Sequence, residues 1–210
     1  LVEESPAPGF ERALIEQKAE ELSSICQRLG YNNLGTVETL FTPDGEVGFL
    51  EMNTRIQVEH GVTEEVTGVD LVAAQITLAA GGHLPAQAPL RGFAMEARLY
   101  AEDALTLFPS TGKLAVFRPP TLHGVRIETG YQEGQVVSPY YDPLLAKIIA
   151  RGTTREQAIG RLVVALRAFT VRGVSTNAQL LLHILQDERF VQGQVDTGIV
   201  ARILGHQNSH

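Results

Sequence analysis

Glu51-Met52-Asn53-Thr54-Arg55-Ile56-Gln57-Val58-Glu59-His60 is the stretch on which the reading of this chain turns. In an extended segment, successive side chains alternate between two faces. One face then carries Glu51, Asn53, Arg55, Gln57 and Glu59; the other carries Met52, Thr54, Ile56, Val58 and His60. A polar face of such varied chemistry is unlike the Lys, Thr and Ser of a plain edge strand. Upstream, residues 35–41 and 46–52 are two short strand-like runs around Thr42-Pro43-Asp44-Gly45. Proline presets φ, aspartate bonds its own backbone and glycine accepts a positive φ, so a β-hairpin is predicted.

With a four-residue turn, Phe41 faces Glu46, Glu38 faces Phe49 and Thr36 faces Glu51. Glu38 and Glu51 then share a sheet face as diagonal neighbours, about 7–8 Å apart at the backbone. Two long carboxylates and the Asn53 amide oxygen make an oxygen set suited to Mg2+ or Mn2+, ions that bridge protein to nucleotide phosphates. A three- or five-residue turn would place the two glutamates on opposite faces. Two glutamates on a hairpin are also what a solvated surface looks like, and an Asn, an Arg and a Glu in series also form surface ion pairs. Spacing alone leaves both readings open.

Composition narrows the classes. The chain has 210 residues, 44% of them hydrophobic, enough to bury a core in one large domain or two small ones. Its 17 Lys and Arg against 24 Asp and Glu give a net charge of −7, which argues against nonspecific nucleic-acid binding. The single cysteine, Cys26, rules out an internal disulfide, fits a reducing cytoplasm and reads as a small buried hydrophobe in a helix. No apolar run approaches the roughly 20 residues of a membrane span. The opening LVEESPAPGF, residues 1–10, lacks a Met, a basic region and an apolar region, and reads as an internal or processed start rather than a signal peptide.

Working outward, Pro6, Pro8 and Gly9 open a loop, and residues 10–29 form a helix with Leu14, Ile15, Ala19, Leu22, Ile25, Cys26 and Leu29 at helical spacing, ended by Gly30. Residues 63–80 are helical, with a break expected at Thr67-Gly68 and an end at Gly81-Gly82. The aperiodic, proline-bearing stretch 83–90 marks a boundary. Beyond it, strands are predicted at residues 93–100, 113–118, 124–129 and 144–150. Thr154-Arg155-Glu156-Gln157 is a capping-box pattern opening a helix with Ala158, Ile159, Leu162, Val163 and Leu166 inward. A second helix spans residues 176–186, and the tail after Leu204 frays. Strands followed by helices give an α+β arrangement.

The run GFLEMNTRIQVEHGVTEEVTGVDLV, residues 48–72, closely resembles the biotin carboxylase family. The match continues through RGFAMEARLYAED, FPSTGKL, HGVRIETGY and SPYYDPLLAKII to GVSTNAQLL, and the opening LVEESPAP matches as well. The resemblance implies the C-terminal half of an ATP-grasp fold at residues 1–83, then the biotin carboxylase C-terminal domain, an antiparallel sheet with helices, at residues 91–204. It implies an ATP-dependent ligase that carboxylates carrier-borne biotin with bicarbonate through carboxyphosphate. Relatives include acetyl-CoA carboxylase of fatty acid biosynthesis and the propionyl-CoA, methylcrotonyl-CoA and pyruvate carboxylases. Expected partners are a biotin carboxyl carrier protein or domain, a carboxyltransferase and a second copy in a homodimer, with no nucleic acid and no membrane.

Residue by residue, Glu38, Glu51 and Asn53 match the family's metal positions, Glu38 and Glu51 also serving ATP. Leu40 matches a residue lining the adenine pocket. Arg55, Gln57 and Val58 match bicarbonate-binding positions, Val58 through its backbone. Glu59 matches the general base, and Arg126 the arginine that holds the biotin ureido oxygen. Chemistry suits these types: a carboxylate can deprotonate bicarbonate, a guanidinium fork can hold it in line, and a fixed cation can stabilise the enolate-like oxygen of deprotonated biotin. His60, Lys113, the pair Glu96 and Arg98, and Tyr140, Tyr141 and Asp142 read as structural or as dimer contacts. Gly61 stands where many relatives have Pro, which predicts looser placement of Glu59.

The family's Gly-rich phosphate lid and its ATP and bicarbonate lysines fall upstream of Leu1, so the isolated 210 residues are expected to turn over weakly or not at all. Two other classes stay open. One is a non-catalytic carboxylase module for dimerisation and carrier docking, disfavoured by the retained carboxylates. The other is a different ATP-grasp ligase such as half of a carbamoyl-phosphate synthase, disfavoured by HGVRIE and the C-terminal motifs.

Overall fold

The first strand, β1 (Val2–Ser5), owes its existence to a partner far along the chain rather than to local propensity: it pairs antiparallel with residues Ala94–Ala97. That pairing was invisible in the sequence, where the prolines read as a loop. The computed structural model describes residues 1–42, 46–84, 89–196 and 198–207. Its backbone divides into two compact units, Leu1–Gly9 with Arg91–His210, and Phe10–Leu90. The N-terminal residues therefore travel with the C-terminal unit, not with residues 10–83.

In the Phe10–Leu90 unit, the helical repeat becomes α1 (Arg12–Arg28), which buries none of its residues fully; Cys26 is only half-buried. The hairpin forms from β2 (Thr36–Phe41) and β3 (Val47–Asn53). Phe10 and Phe41 meet with ring centroids 5.1 Å apart. The helical pattern that follows is split as expected into α2 (His60–Thr67) and α3 (Leu71–Ala79). Gly68 takes the left-handed φ of 73° that ends α2, and Asp70 caps α3 by accepting from the Ala73 N–H. Among the described residues of this unit, only Gly61, Val62, Glu64, Val66 and Ala74 are buried, while Leu29, Phe49 and Ile76 stand well exposed.

The other unit is built on β4 (Phe93–Tyr100), whose alternation faces Met95, Ala97 and Leu99 to the core. Then come β5 (Gly112–Lys113), β6 (Val116–Arg118), β7 (Val125–Glu128), β8 (Val136–Val137) and β9 (Leu144–Gly152). Next are α4 (Arg155–Ala168), β10 (Thr170–Arg172), α5 (Ala178–Gln186), α6 (Glu188–Val191) and α7 (Ile199–Gln207). The main sheet has order β1-β4-β9-β7, all antiparallel. The strand predicted over 113–118 is two short pieces: β5 pairs with β8, and β6 with β10. Gly173 permits this crossing, because its φ is +105° and a Cβ there would collide with the Lys113 carbonyl oxygen.

Helices α4 and α5 cover one face of the main sheet, and Ala158, Leu162, Ala165, Leu181 and Ile184 interlock with Ile148 and Leu99 in one core. A second cluster gathers Leu114, Phe117, Val137 and Leu145. The Thr154 hydroxyl accepts from the Gln157 N–H as the capping box predicts, but the Gln157 side chain reaches one residue further back and accepts from the Thr153 N–H at 2.8 Å. No described helix is long and apolar enough to cross a membrane. The parts of the expected turn at 43–45, the boundary at 85–88 and the tail at 208–210 lie outside the described residues.

Leu162 is fully buried and Ile25 is 43% exposed. Leu162→Ala is expected to destabilise the chain by about 2–5 kcal/mol, and Ile25→Ala by less than about 0.5 kcal/mol, as read by chemical denaturation. Similar losses for the two would contradict the placement of the core.

Candidate active site

The hairpin register differs from the simple count. Phe41 pairs with Val47, Leu40 with Gly48 and Thr39 with Phe49, so five residues, 42–46, separate the last pair. An odd loop of this kind would put Glu38 opposite Leu50 and turn Glu51 to the other face. A bulge between Glu38 and Thr39 leaves Leu50 without a partner residue and restores the parity, so Glu38 lies directly opposite Glu51 and Thr36 opposite Asn53. The two glutamates are thus cross-strand partners, closer than the diagonal placement expected.

Like charges directly opposed on a ladder repel unless something stands between them. Here amide hydrogens do. Asn53 Nδ2 donates to Glu38 Oε1 at 2.8 Å and to Glu51 Oε1 at 3.1 Å. Gln57 Nε2 donates to the same Glu38 oxygen at 2.7 Å. A half-turn of the Asn53 amide exchanges its NH2 for its carbonyl oxygen. Two carboxylates and that oxygen then form a donor set that fits a hard divalent cation.

The extended reading of residues 51–60 holds only as far as Asn53, where β3 ends. The chain bends at Thr54-Arg55 and turns at Val58-Glu59 into α2. Gln57 nevertheless folds back onto the carboxylate cluster. Arg55 is exposed, with Nη1 donating to the Ile56 carbonyl at 3.2 Å. Val58 is 41% exposed. Glu59 sits half-buried at the N-cap of α2 with φ −81° and ψ 10°, and its side chain does not cap the helix. His60, expected to point away on an extended strand, instead opens α2 with Nδ1 2.7 Å from the Gln57 carbonyl oxygen. Leu40 is 59% exposed on β2.

Arg126 belongs to the other unit, on β7 at the edge of the main sheet. Its guanidinium pairs with Glu128, and Glu128 also accepts from Lys147 Nζ at 2.5 Å. Register sets Glu128 opposite Lys147, and Lys147 opposite Arg98. Arg98 in turn pairs with Glu3 on β1 at 2.9 Å. A row of charges therefore crosses four strands on the sheet face opposite α4 and α5. Glu128, Lys147 and Glu3 were missed from sequence. Glu128 was findable, since it shares a strand face with Arg126 two residues away; Glu3 and Lys147 required the long-range register.

An antiparallel sheet backed by helices, preceded by a hairpin of paired carboxylates, defines an α+β protein with an acidic, cation-fitting site. Comparison with known proteins gives the family. Residues 96–202 match the biotin carboxylase C-terminal domain, and residues 1–87 match the carbamoyl-phosphate synthase L chain ATP-binding domain. A biotin carboxylase of Halalkalibacterium halodurans is 43% identical over 207 residues, covering 97% of this chain and 46% of that protein. The structure of a biotin carboxylase–β-γ-ATP complex from Campylobacter jejuni superposes with a TM-score of 0.92 at 34% identity, covering 96% of this chain and 46% of that one. The biotin carboxylase domain of Hydrogenobacter thermophilus 2-oxoglutarate carboxylase, solved with MgADP, ADP and bicarbonate, gives 0.93 at 35% identity, with the same coverage of 96% and 46%. This chain belongs to the biotin carboxylase family. It spans about half the length of those relatives.

Mn2+ added to the chain is expected to broaden the NMR signals of Glu38, Glu51 and Asn53 before others. Glu51→Gln is expected to weaken that binding at least about tenfold. Broadening that begins elsewhere, or survives Glu51→Gln unchanged, would exclude the cluster as a cation site.

Proposed function

We propose that this sequence acts as the C-terminal half of a biotin carboxylase, an ATP-dependent ligase that carboxylates carrier-borne biotin with bicarbonate. The observation that carries the proposal is the bulged hairpin, with Glu38, Glu51 and Asn53 on one face and Gln57 folded onto it. In this reading Glu38, Glu51 and Asn53 hold Mg2+ or Mn2+ against the phosphates of ATP, and Leu40 lines the adenine. A bound divalent cation would spread the charge of the transferring phosphoryl group. Arg55, Gln57 and the backbone of Val58 hold bicarbonate, and Glu59 takes its proton so that the anion attacks the γ-phosphate. That attack releases ADP and forms carboxyphosphate, which breaks to CO2 and phosphate; the phosphate takes the proton from the biotin ureido nitrogen, and the biotin anion attacks CO2. The exposed apolar side chains of the Phe10–Leu90 unit support the idea of a half-fold whose cover comes from ATP-grasp elements outside these residues. A carrier protein or domain, a carboxyltransferase and a second copy are the partners this function requires or suggests.

The cation that stabilises the biotin ureido oxygen is, by resemblance, Arg126. Such a group works best when held in place before the reaction, and the pairing of Arg126 with Glu128, which Lys147 also contacts, supports that role.

The test is biotin-dependent ATP hydrolysis by the carboxylase subunit of which this sequence forms the C-terminal half. Glu59→Gln should lower kcat about 10²- to 10⁴-fold while ATP still binds. Hydrolysis indifferent to biotin in the wild type would overturn the proposal. Arg126→Ala should raise the KM for biotin at least about tenfold, the effect of about 1.4 kcal/mol; an unchanged KM would remove Arg126 from the role.

A further inference from the structure

Arg126 stands where the sheet itself does little to hold a side chain still. It lies on β7, an edge strand paired on one side with β9. Its side chain is 37% exposed, and the residue directly opposite it is Ile149, an apolar neighbour with no group to bond a cation. A long cationic side chain in such a setting spreads over many rotamers. The polar neighbour that the strand provides is Glu128, two residues on and so on the same face, which accepts from Arg126 Nη2. A guanidinium carries five N–H donors, so this contact orients the fork without consuming it.

What holds Glu128 lies one strand further in. Register sets it directly opposite Lys147, whose Nζ meets Glu128 Oε2 at 2.5 Å, while Arg126 takes Oε1. The two cations thus use different oxygens of one carboxylate. Lys147 is on β9, between β4 and β7, and its side chain is only 10% exposed. An ammonium so withdrawn from water is costly unless paired, so it holds its carboxylate partner firmly. On its other side Lys147 faces Arg98, a like charge, but Arg98 turns to Glu3 at 2.9 Å. The Thr129 hydroxyl donates to the Leu145 carbonyl at 2.6 Å and pins the end of β7 to β9, keeping Glu128 in register with Lys147. The order is buried anchor, bridging carboxylate, half-buried guanidinium.

We infer that Glu128, anchored by the buried Lys147, is a positioning residue for the biotin-binding cation: it fixes where the Arg126 guanidinium stands on the polar face of the sheet. This rests on the reading of Arg126 given under the proposed function. A cation that meets a developing oxyanion is worth most when its place is set in advance. Neither Glu128 nor Lys147 needs to touch biotin to do this. A glutamine at 128 would still accept from Arg126 but could not balance Lys147; a methionine at 147 would fill similar space without the charge.

A double-mutant cycle in the same carboxylase subunit tests the inference. Glu128→Gln and Lys147→Met should each raise the KM for biotin by about three- to thirtyfold, the range of coupling within one ion-pair network, and by no more than Arg126→Ala does. The KM for ATP should stay within about twofold of wild type. Glu128→Gln removes the negative charge that Lys147 faces; should that variant fail to fold, Glu128→Gln combined with Lys147→Met removes both charges together and should show the same rise. In an Arg126→Ala background these substitutions should add less than about a twofold effect, because the group they position is gone. Full additivity with Arg126→Ala, parallel losses in the ATP and biotin parameters, or an unchanged KM for biotin would overturn the inference and leave Glu128 and Lys147 structural residues. If Arg126→Ala alone leaves the KM for biotin unchanged, the reading of Arg126 fails, and the positioning role fails with it.

Discussion

Two carboxylates placed opposite each other on neighbouring strands are a liability, and the chemistry assigned to this chain depends on that liability being kept. Repulsion between Glu38 and Glu51 would ordinarily push a hairpin towards a register that separates them. The odd-length connection would do so by parity alone. One unpartnered residue, Leu50, reverses that outcome. Asn53 and Gln57 then supply the hydrogens that let the two carboxylates coexist. The bulge and the two amides form one device: remove the bulge's effect on parity and the amides have no pair to bridge.

Burial is distributed unevenly around that device. Both apolar clusters lie in the unit made of Leu1–Gly9 and Arg91–His210, where a four-stranded sheet meets two helices. The Phe10–Leu90 unit holds the carboxylates but no comparable cluster among its described residues. Hydrophobic burial is the main favourable term in folding. Stability in isolation is therefore concentrated in the unit that carries Arg126, and the unit that carries Glu38 and Glu51 depends more on what covers it. Under the proposed function this division is reasonable, because a surface that closes over a nucleotide cannot be filled by its own side chains.

What could be read in the sequence follows the range of the forces involved. Helices α1, α4 and α5 were legible from apolar spacing, and the break at Gly68 from one residue's tolerance of positive φ. The existence of the hairpin was legible in Pro43-Asp44-Gly45. Its register was not, because a bulge is a one-residue event with no compositional mark; Leu50 looks like any strand residue. The extended reading of 54–59 failed because the bend at Thr54-Arg55 is set by tertiary context, although the grouping of Gln57 with the carboxylates survived it. β1 was missed because it is a strand only against β4. The family motifs are indifferent to these errors of geometry, since a motif marks identity and not register.

Side chains at element ends tie the fold together in ways that motif reading passes over. Thr154 and Gln157 satisfy the start of α4, with Gln157 reaching back to Thr153. Asp70 does the same for α3. Asn177 departs from this pattern: buried at the N-cap of α5, its side chain does not cap the helix, but Nδ2 donates to the Arg98 carbonyl at 3.1 Å and Oδ1 accepts from the Tyr100 N–H at 2.9 Å. A buried polar group must find partners, and the cap was the nearer solution in sequence. That the amide bonds β4 instead means the unsatisfied backbone at Arg98 and Tyr100 was the costlier vacancy. On its β1 edge, strand β4 has no further strand partner beyond Arg98, so the residue that precedes α5 supplies the hydrogen bonds there.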